Sequence, residues 1–284
     1  MTDARTALAE ATRRLAEAGV ASPRNDAELL LAHVLGTGRT GLLLVAALDG
    51  AQAAAYEDLV VRRATREPLQ HLTASAAFRY RDLVVGPGVF VPRPETESLV
   101  EWGLSVIDAL EVPHPVVVDL GTGSGAIAGA VASERPHARV HAVELSEAAY
   151  AYAERNLAGL DVDLRHGDLA DAFGDLDGSV DLVLANPPYI PLAAWESVAV
   201  EARDHDPALA LWSGEDGLDA MRDVAATSAR LLRSGGWVGA EHADVQGESA
   251  PAVFVAHGAF EEVRDRTDLA GRPRYTTARR AQRR

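Results

Sequence analysis

The stretch Val116-Val117-Val118-Asp119-Leu120-Gly121-Thr122-Gly123-Ser124-Gly125-Ala126 decides the fold. An apolar run of buried-strand character ends in three glycines within five residues, and a helical pattern follows to about Glu134. Glycines let a chain turn tightly and approach a ligand closely, and the first turn of a helix offers free N–H groups to a carboxylate or phosphate. Around this unit the pattern keeps alternating. A helix is expected over Thr96–Leu110, a strand over Arg139–Val143, a helix over Glu147–Leu157, and strands over Val162–Arg165 and Val180–Leu184. A helix near Leu218–Leu232 and a strand over Trp237–Ala240 complete the series. Such alternation predicts an α/β domain with a mostly parallel sheet, helices on both faces, and ligands beyond the carboxyl ends of the strands.

Glu144 ends the second strand about 25 residues after the loop begins, where an acidic side chain can accept both hydroxyls of a ribose. Loop and acid together point to an adenosine-type cofactor, although Gly121, Gly123 and Ala126 also satisfy the dinucleotide fingerprint. Asp168 follows a third strand end and stands either beside an adenine amino group or in a solvated loop. A fourth strand runs into Ala185-Asn186-Pro187-Pro188-Tyr189-Ile190. Two prolines in series end the ladder and fix the backbone, so what they present is presented rigidly. His137 and His141 fall on a turn and a strand instead of one helical face, so no metal site is expected.

Upstream, Leu8, Ala11 and Leu15 recur at helical spacing, Ala27–Leu35 lies between Ser22-Pro23 and Gly36, and a further helix covers Ala51–Thr65. The expected organisation is a small all-helical domain over 1–74, a linker over 75–93, and the α/β domain over 94–284. In the linker, Leu83-Val84-Val85 and Val89-Phe90-Val91 around Gly86-Pro87-Gly88 read as a β-hairpin. The chain has 284 residues, 48% hydrophobic and 24% charged, which is the balance of a globular protein with room for both domains. No apolar run reaches the roughly 20 residues of a bilayer span and no signal-peptide core follows Met1, so a cytoplasmic protein off the membrane is expected. Zero cysteines exclude disulfides and thiolate chemistry. A net charge of −15, with every one of the 27 basic residues an arginine, argues against a nucleic-acid surface and for a basic partner. Arg279-Arg280 and Arg283-Arg284 read as a solvated tail.

With the loop, Glu144 and Asn186–Tyr189 in one sheet, the chain resembles class I S-adenosylmethionine-dependent methyltransferases that modify planar amino groups. The resemblance extends to Arg66-Glu67-Pro68-Leu69-Gln70-His71-Leu72 and Val91-Pro92-Arg93-Pro94-Glu95-Thr96-Glu97, and covers nearly the whole chain. In this order, behind a helical domain, the motifs are similar to those of the HemK/PrmC family, the protein-(glutamine-N5) methyltransferases of peptide-chain release factors. The resemblance implies a Rossmann-like, mostly parallel seven-stranded sheet and S-adenosylmethionine as cofactor, with S-adenosylhomocysteine as product. It implies that Gly121, Thr122, Gly123, Ser124 and Gly125 hold the methionine part, Glu144 the ribose, and Asp168 and Leu169 the adenine neighbourhood, with Asp119 also among the cofactor-binding residues. Asn186, Pro187, Pro188 and Tyr189 would hold the substrate glutamine, with Asn186, Pro187 and Tyr189 serving catalysis and Asn186 also reaching the cofactor. The implied partner is a release factor carrying Gly-Gly-Gln, met by a monomer without direct nucleic-acid contact. Glu144 replaces a more usual Asp, while Asp204-His205-Asp206-Pro207 and Glu241-His242-Ala243 depart from the family pattern. A DNA adenine-N6 methyltransferase shares the NPPY segment, and a cofactor-binding module without catalysis is the third reading.

The chemistry explains the segment. A carboxamide nitrogen is a poor nucleophile whose two N–H groups need acceptors in a dry site. Asn186 and the Pro187 carbonyl offer two in nearly one plane, Pro188 adds no competing N–H, and Tyr189 can cover the flat group.

Overall fold

The computed structural model describes residues 1–282 and divides them into two compact units, residues 1–75 with 199–205, and residues 76–198 with 206–282. In the first unit, strand β1 (Thr2–Asp3) pairs with β2 (Ala47–Leu48), and α1 (Ala4–Glu17), α2 (Pro23–Leu35), α3 (Gly50–Ala64) and α4 (Leu69–Thr73) surround a core that includes Leu15, Leu30, Leu31 and Leu48. Helix α3 begins as the sequence dictates. Asp49 accepts from the Gln52 N–H at 2.8 Å while the Gln52 side chain accepts from the Asp49 N–H at 3.0 Å, a reciprocal cap.

The linker strands are β3 (Ser75–Phe78) and β4 (Arg81–Val84), so the hairpin turns at Arg79-Tyr80 and not at Gly86-Pro87-Gly88 as expected. Arg79 takes a φ of 51°, which closes a two-residue turn. Val85, Val89 and Val91 do not pair as strands; they are buried in the core of the second unit, the stronger demand on three valines around a proline that cannot donate to a ladder.

The second unit continues with α5 (Thr96–Ala109), β5 (Val116–Leu120), α6 (Ala126–Glu134), β6 (Arg139–Glu144), α7 (Glu147–Leu157), β7 (Val162–His166) and β8 (Val180–Ala185). Helix α8 (Val200–His205) belongs to the first unit, after which come α9 (Ala208–Leu211), α10 (Asp219–Leu231), β9 (Leu232–Glu241), α11 (Ser249–His257), β10 (Phe260–Thr267) and β11 (Pro273–Arg280). The sheet has seven strands in the order β10-β11-β9-β8-β5-β6-β7; β11 is antiparallel to both its neighbours and the rest are parallel. Strand β8 is buried throughout, so its residues pack alternately on two cores: Leu182 and Leu184 against the layer of α5, α6 and α7, Val183 and Ala185 against that of α10 and α11.

The chain runs from β5 through β6 to β7 in one direction and returns to the other side of β5 with β8 and β9. The reversal opens a crevice between the carboxyl ends of β5 and β8. Leu120 lies opposite Ala185 in the register, so Gly121 and Asn186 leave the sheet side by side. Charged residues in Phe260–Thr267 conceal β10 from a reading by alternation, and Arg279 and Arg280 are strand residues instead of a solvated tail. Arg280 Nε donates to the Ala229 carbonyl at 2.9 Å and Arg279 pairs with Glu262 at 2.9 Å. Arg283 and Arg284 lie outside the described residues.

Candidate functional site

On the β5 side, Gly121, Gly123 and Gly125 all take positive φ, at 76°, 58° and 81°. At Gly125 a Cβ would stand 3.0 Å from Leu157 of α7, so glycine is required both by the conformation and by the packing of loop on helix. At Gly123 a Cβ would meet nothing, which leaves that part of the loop open toward the crevice. Glu144, almost fully buried, is fixed by backbone alone: Gly123 N–H donates to its Oε2 and Ser146 N–H to its Oε1, both at 2.8 Å. A carboxylate held this way keeps further lone pairs for the two hydroxyls of a ribose. Ser146 then caps α7 by accepting from the Ala149 N–H at 3.3 Å.

Asp119 is buried beneath the loop. Its Oδ2 accepts from the Thr122 hydroxyl at 2.5 Å and the Ala128 N–H at 3.0 Å, whereas Oδ1 is buried without a partner. Burial pushes its pKa up to about 7 against those two hydrogen bonds, and nearby Glu144 adds to the rise. An orphaned buried acceptor beside an open Gly loop fits a cationic ligand group such as the ammonium of a methionine moiety. Leu169 lies against the loop, within 3.8 Å of the position a Cβ on Gly121 would take. Asp168 is exposed and its Oδ1 accepts from the Ala170 N–H at 2.9 Å, a turn-forming contact.

On the β8 side, Pro187 is buried and Asn186, Pro188 and Tyr189 are half-buried. Asn186 Nδ2 donates to the Thr96 hydroxyl at 3.2 Å. The Tyr189 carbonyl accepts from Gln246 Nε2 at 3.1 Å, and Gln246 Oε1 in turn accepts from the Ala243 N–H at 3.0 Å. Burial raises the pKa of the Tyr189 hydroxyl, with Glu241 as the next cause, so the ring stays neutral. Beyond the prolines, Ile190 bonds to Leu211 and Ser213, and Trp195 stacks on Trp212 with ring centroids 5.3 Å apart. The segment is therefore held at its start by a side chain of α5 and at its end by residues 211–246.

Several of these holders are not evident as functional in the sequence. Arg93-Pro94-Glu95-Thr96 reads there either as a helix entry or as active-site cover, while Gln246 and Asn156 belong to no motif. Asn156 is buried; its Nδ2 donates to the Ser124 carbonyl at 2.8 Å and the Val84 carbonyl at 2.9 Å, and its Oδ1 accepts from the Val84 N–H at 2.8 Å, tying the Gly loop to β4. A single Asn at a helix position facing an otherwise apolar layer is the available sign. Of the departures, Asp206 pairs with Arg93 at 2.7 Å, and His242 is buried with Nδ1 on the Ala243 carbonyl, its pKa lowered by burial. Among the described residues no cluster of His, Asp and Glu has metal-binding geometry, and no helix is long and apolar enough to cross a membrane.

A parallel sheet that reverses between β5 and β8, with an adenosine-type loop on one side of the reversal and Asn-Pro-Pro-Tyr on the other, makes this a class I methyltransferase, and its methyl donor is S-adenosylmethionine. Residues 6–73 match the family of the PrmC N-terminal domain and residues 104–202 that of the methyltransferase small domain. The chain is 57% identical over 274 residues to the release factor glutamine methyltransferase of Streptomyces coelicolor, covering 96% of this chain and 97% of that one. It is 50% identical over 281 residues to the protein of the same name from Mycolicibacterium smegmatis, with 98% of each covered. A 4-amino-L-phenylalanine/4-methylamino-L-phenylalanine methyltransferase of Streptomyces pristinaespiralis is 41% identical over 265 residues, covering 92% of this chain and 90% of that one. The chain belongs to the release factor glutamine methyltransferase family.

Proposed function

We propose that the protein transfers a methyl group from S-adenosylmethionine to the side-chain amide nitrogen, N5, of the glutamine in the Gly-Gly-Gln motif of peptide-chain release factors. The observation that carries this reading is the register of Leu120 with Ala185, which sets the donor loop and Asn186 side by side at the end of the sheet. Bound S-adenosylmethionine supplies a methyl group already activated on a sulfonium. Gly121–Gly125 and Asp119 hold its methionine end, Glu144 its ribose, and Asp168 and Leu169 flank the adenine. Asn186 Oδ1 and the Pro187 carbonyl accept the two N–H groups of the substrate amide and aim its nitrogen along the S–C axis. Pro188 keeps a competing donor away, and Tyr189 covers the amide plane and excludes water.

No strong general base is needed, because the alkylated amide is acidic enough to lose its proton to water. Positioning then carries most of the catalysis, an effect that reaches roughly 7–11 kcal/mol in well-oriented systems. Residues 1–74 serve as a docking surface for the release factor, 75–93 as the linker and 94–284 as the catalytic domain, acting as a monomer in the cytoplasm. The net charge of −15 supports a protein partner over nucleic acid.

The test is incubation with labelled S-adenosylmethionine and, separately, a release factor, duplex DNA and 4-amino-L-phenylalanine. Label on the Gly-Gly-Gln glutamine of the release factor is the expected result. Label on DNA or on the free amino acid, with none on the release factor, overturns the assignment.

A further inference from the structure

Tyr189 is the last residue of the clamp and borders a short ladder. Ile190 N–H donates to the Leu211 carbonyl at 2.9 Å, the Ile190 carbonyl accepts from the Ser213 N–H at 3.0 Å, and Leu192 N–H donates to the Gly214 carbonyl at 3.0 Å. In extended chain the backbone groups of successive residues face opposite sides, so with Ile190 turned toward 211–213 the Tyr189 carbonyl faces away from that ladder. It meets Gln246, in the turn between β9 and α11.

Gln246 is buried, and the orientation of its amide is fixed by a bond whose direction is not open to choice. Its oxygen lies 3.0 Å from the Ala243 backbone N–H, which can only donate, so Oε1 faces Ala243 and Nε2 faces the other way. There Nε2 meets three backbone carbonyls: Tyr189 at 3.1 Å, Gly217 at 3.3 Å and Asp216 at 3.4 Å. Gly217 presses on the same group. Its φ is 76°, and a Cβ there would collide with the Tyr189 carbonyl oxygen and stand 2.9 Å from both Gln246 Nε2 and the Pro191 ring. The turn before α10 and the turn after β9 thus grip one peptide group between them.

What lies upstream gives this grip a chemical consequence. The Tyr189 carbonyl follows the Pro187 carbonyl by two residues, and the φ rotation of Pro188 between them is locked by its ring. A displaced Tyr189 peptide is therefore passed on to the Pro187 carbonyl instead of being absorbed. We propose that Gln246, with Gly217 behind it, is a positioning residue for methyl transfer: it holds the Tyr189 carbonyl and so sets the direction in which the Pro187 carbonyl meets an N–H of the substrate amide. This rests on the reading of Asn186–Tyr189 as the clamp for that amide. It also commits the Tyr189 carbonyl to the protein, so that it does not compete with Pro187 for the substrate.

The experiment is single-turnover methyl transfer at saturating S-adenosylmethionine over a range of release-factor concentrations, with a cofactor titration and a thermal melt for each variant. Gln246→Met keeps the length and removes the amide; Gln246→Glu keeps an acceptor for Ala243 and turns an oxygen toward the three carbonyls. Gly217→Ala disturbs the same peptide and leaves the Gln246 side chain in place. Each should lower the limiting transfer rate at least about tenfold, roughly 1.4 kcal/mol, since a misplacement of about 1 Å costs up to about a hundredfold. Cofactor affinity and the release-factor concentration at half-maximal rate should stay within a few fold of wild type. Gln246→Met combined with Gly217→Ala should lose much less than the product of the two single losses, because both act on one peptide group. A lowered melting temperature with a near-normal limiting rate in the folded variant leaves Gln246 a purely structural residue and overturns the proposal. So does a loss confined to cofactor affinity, or a fully multiplicative loss in the double variant. Where a Gln246 variant does not fold, Gly217→Ala decides by the same outcomes. A near-normal rate in Asn186→Ala removes the clamp itself, and the role of Gln246 with it.

Discussion

The loop after β5 and the loop after β8 leave the sheet at the same level, yet they are held in place by different means. Around the first, the key acid is fixed by main chain: Gly123 and Ser146 N–H groups hold Glu144, and positive φ at the glycines shapes the turn. Around the second, side chains from distant segments do the holding: Thr96 on Asn186, and Gln246 on the Tyr189 carbonyl. A site for a constant ligand can be built from backbone, which few substitutions disturb. A site that orients a flat amide needs a particular donor and acceptor pattern, which only side chains supply.

If this contrast is right, the clamp should be the more sensitive half for rate and the loop for affinity. Asn186→Ala removes one acceptor and leaves the prolines in place. Single-turnover transfer should fall by at least about a hundredfold, roughly 2.7 kcal/mol of barrier, with cofactor affinity changed far less. A rate within a few fold of wild type would break the contrast on the substrate side.

Glu144→Ala should do the reverse. Loss of charge-assisted hydrogen bonds worth roughly 1.5–3 kcal/mol should weaken cofactor binding by about ten- to a hundredfold in calorimetry. Unchanged affinity would place the ribose elsewhere.

Asn156→Ala sharpens the account of how the Gly loop is supported, because it strips partners from Ser124 and Val84 at once. We expect about 1–2 kcal/mol of lost stability in chemical denaturation, and a cofactor affinity that falls with it. Lost stability with unchanged affinity would show that the loop keeps its shape without the tie.

The smallest effect is expected at Asp168, which is exposed and already engaged with the Ala170 N–H. Asp168→Ala should weaken the cofactor by no more than about tenfold, because solvent screens an exposed carboxylate and leaves its hydrogen bond near the low end of the roughly 1.5–3 kcal/mol of bonds to charged groups. A loss equal to that of Glu144→Ala would make the adenine side as dependent on side chains as the substrate side is.

The order of elements around β5, the glycine loop, Glu144 and the rigid bend at Pro187-Pro188 could be read from the chain directly. Each depends on neighbours in sequence, on strand burial, or on backbone conformations that few residue types permit. The hairpin was misplaced by local reading because Val85, Val89 and Val91 answer to the core and not to a turn signal. Strands β10 and β11 escape it because their charged residues mask the alternation, and their place is set by β11 pairing with β9 and β10 with β11. What only the tertiary structure decided is the company Asn186 keeps. Thr96 and Gln246 lie 90 and 57 residues from their partners in the clamp. Sequence spacing says nothing about such meetings; the packing of α5, β8 and β9 brings these side chains together, and their donors and acceptors then fix one arrangement.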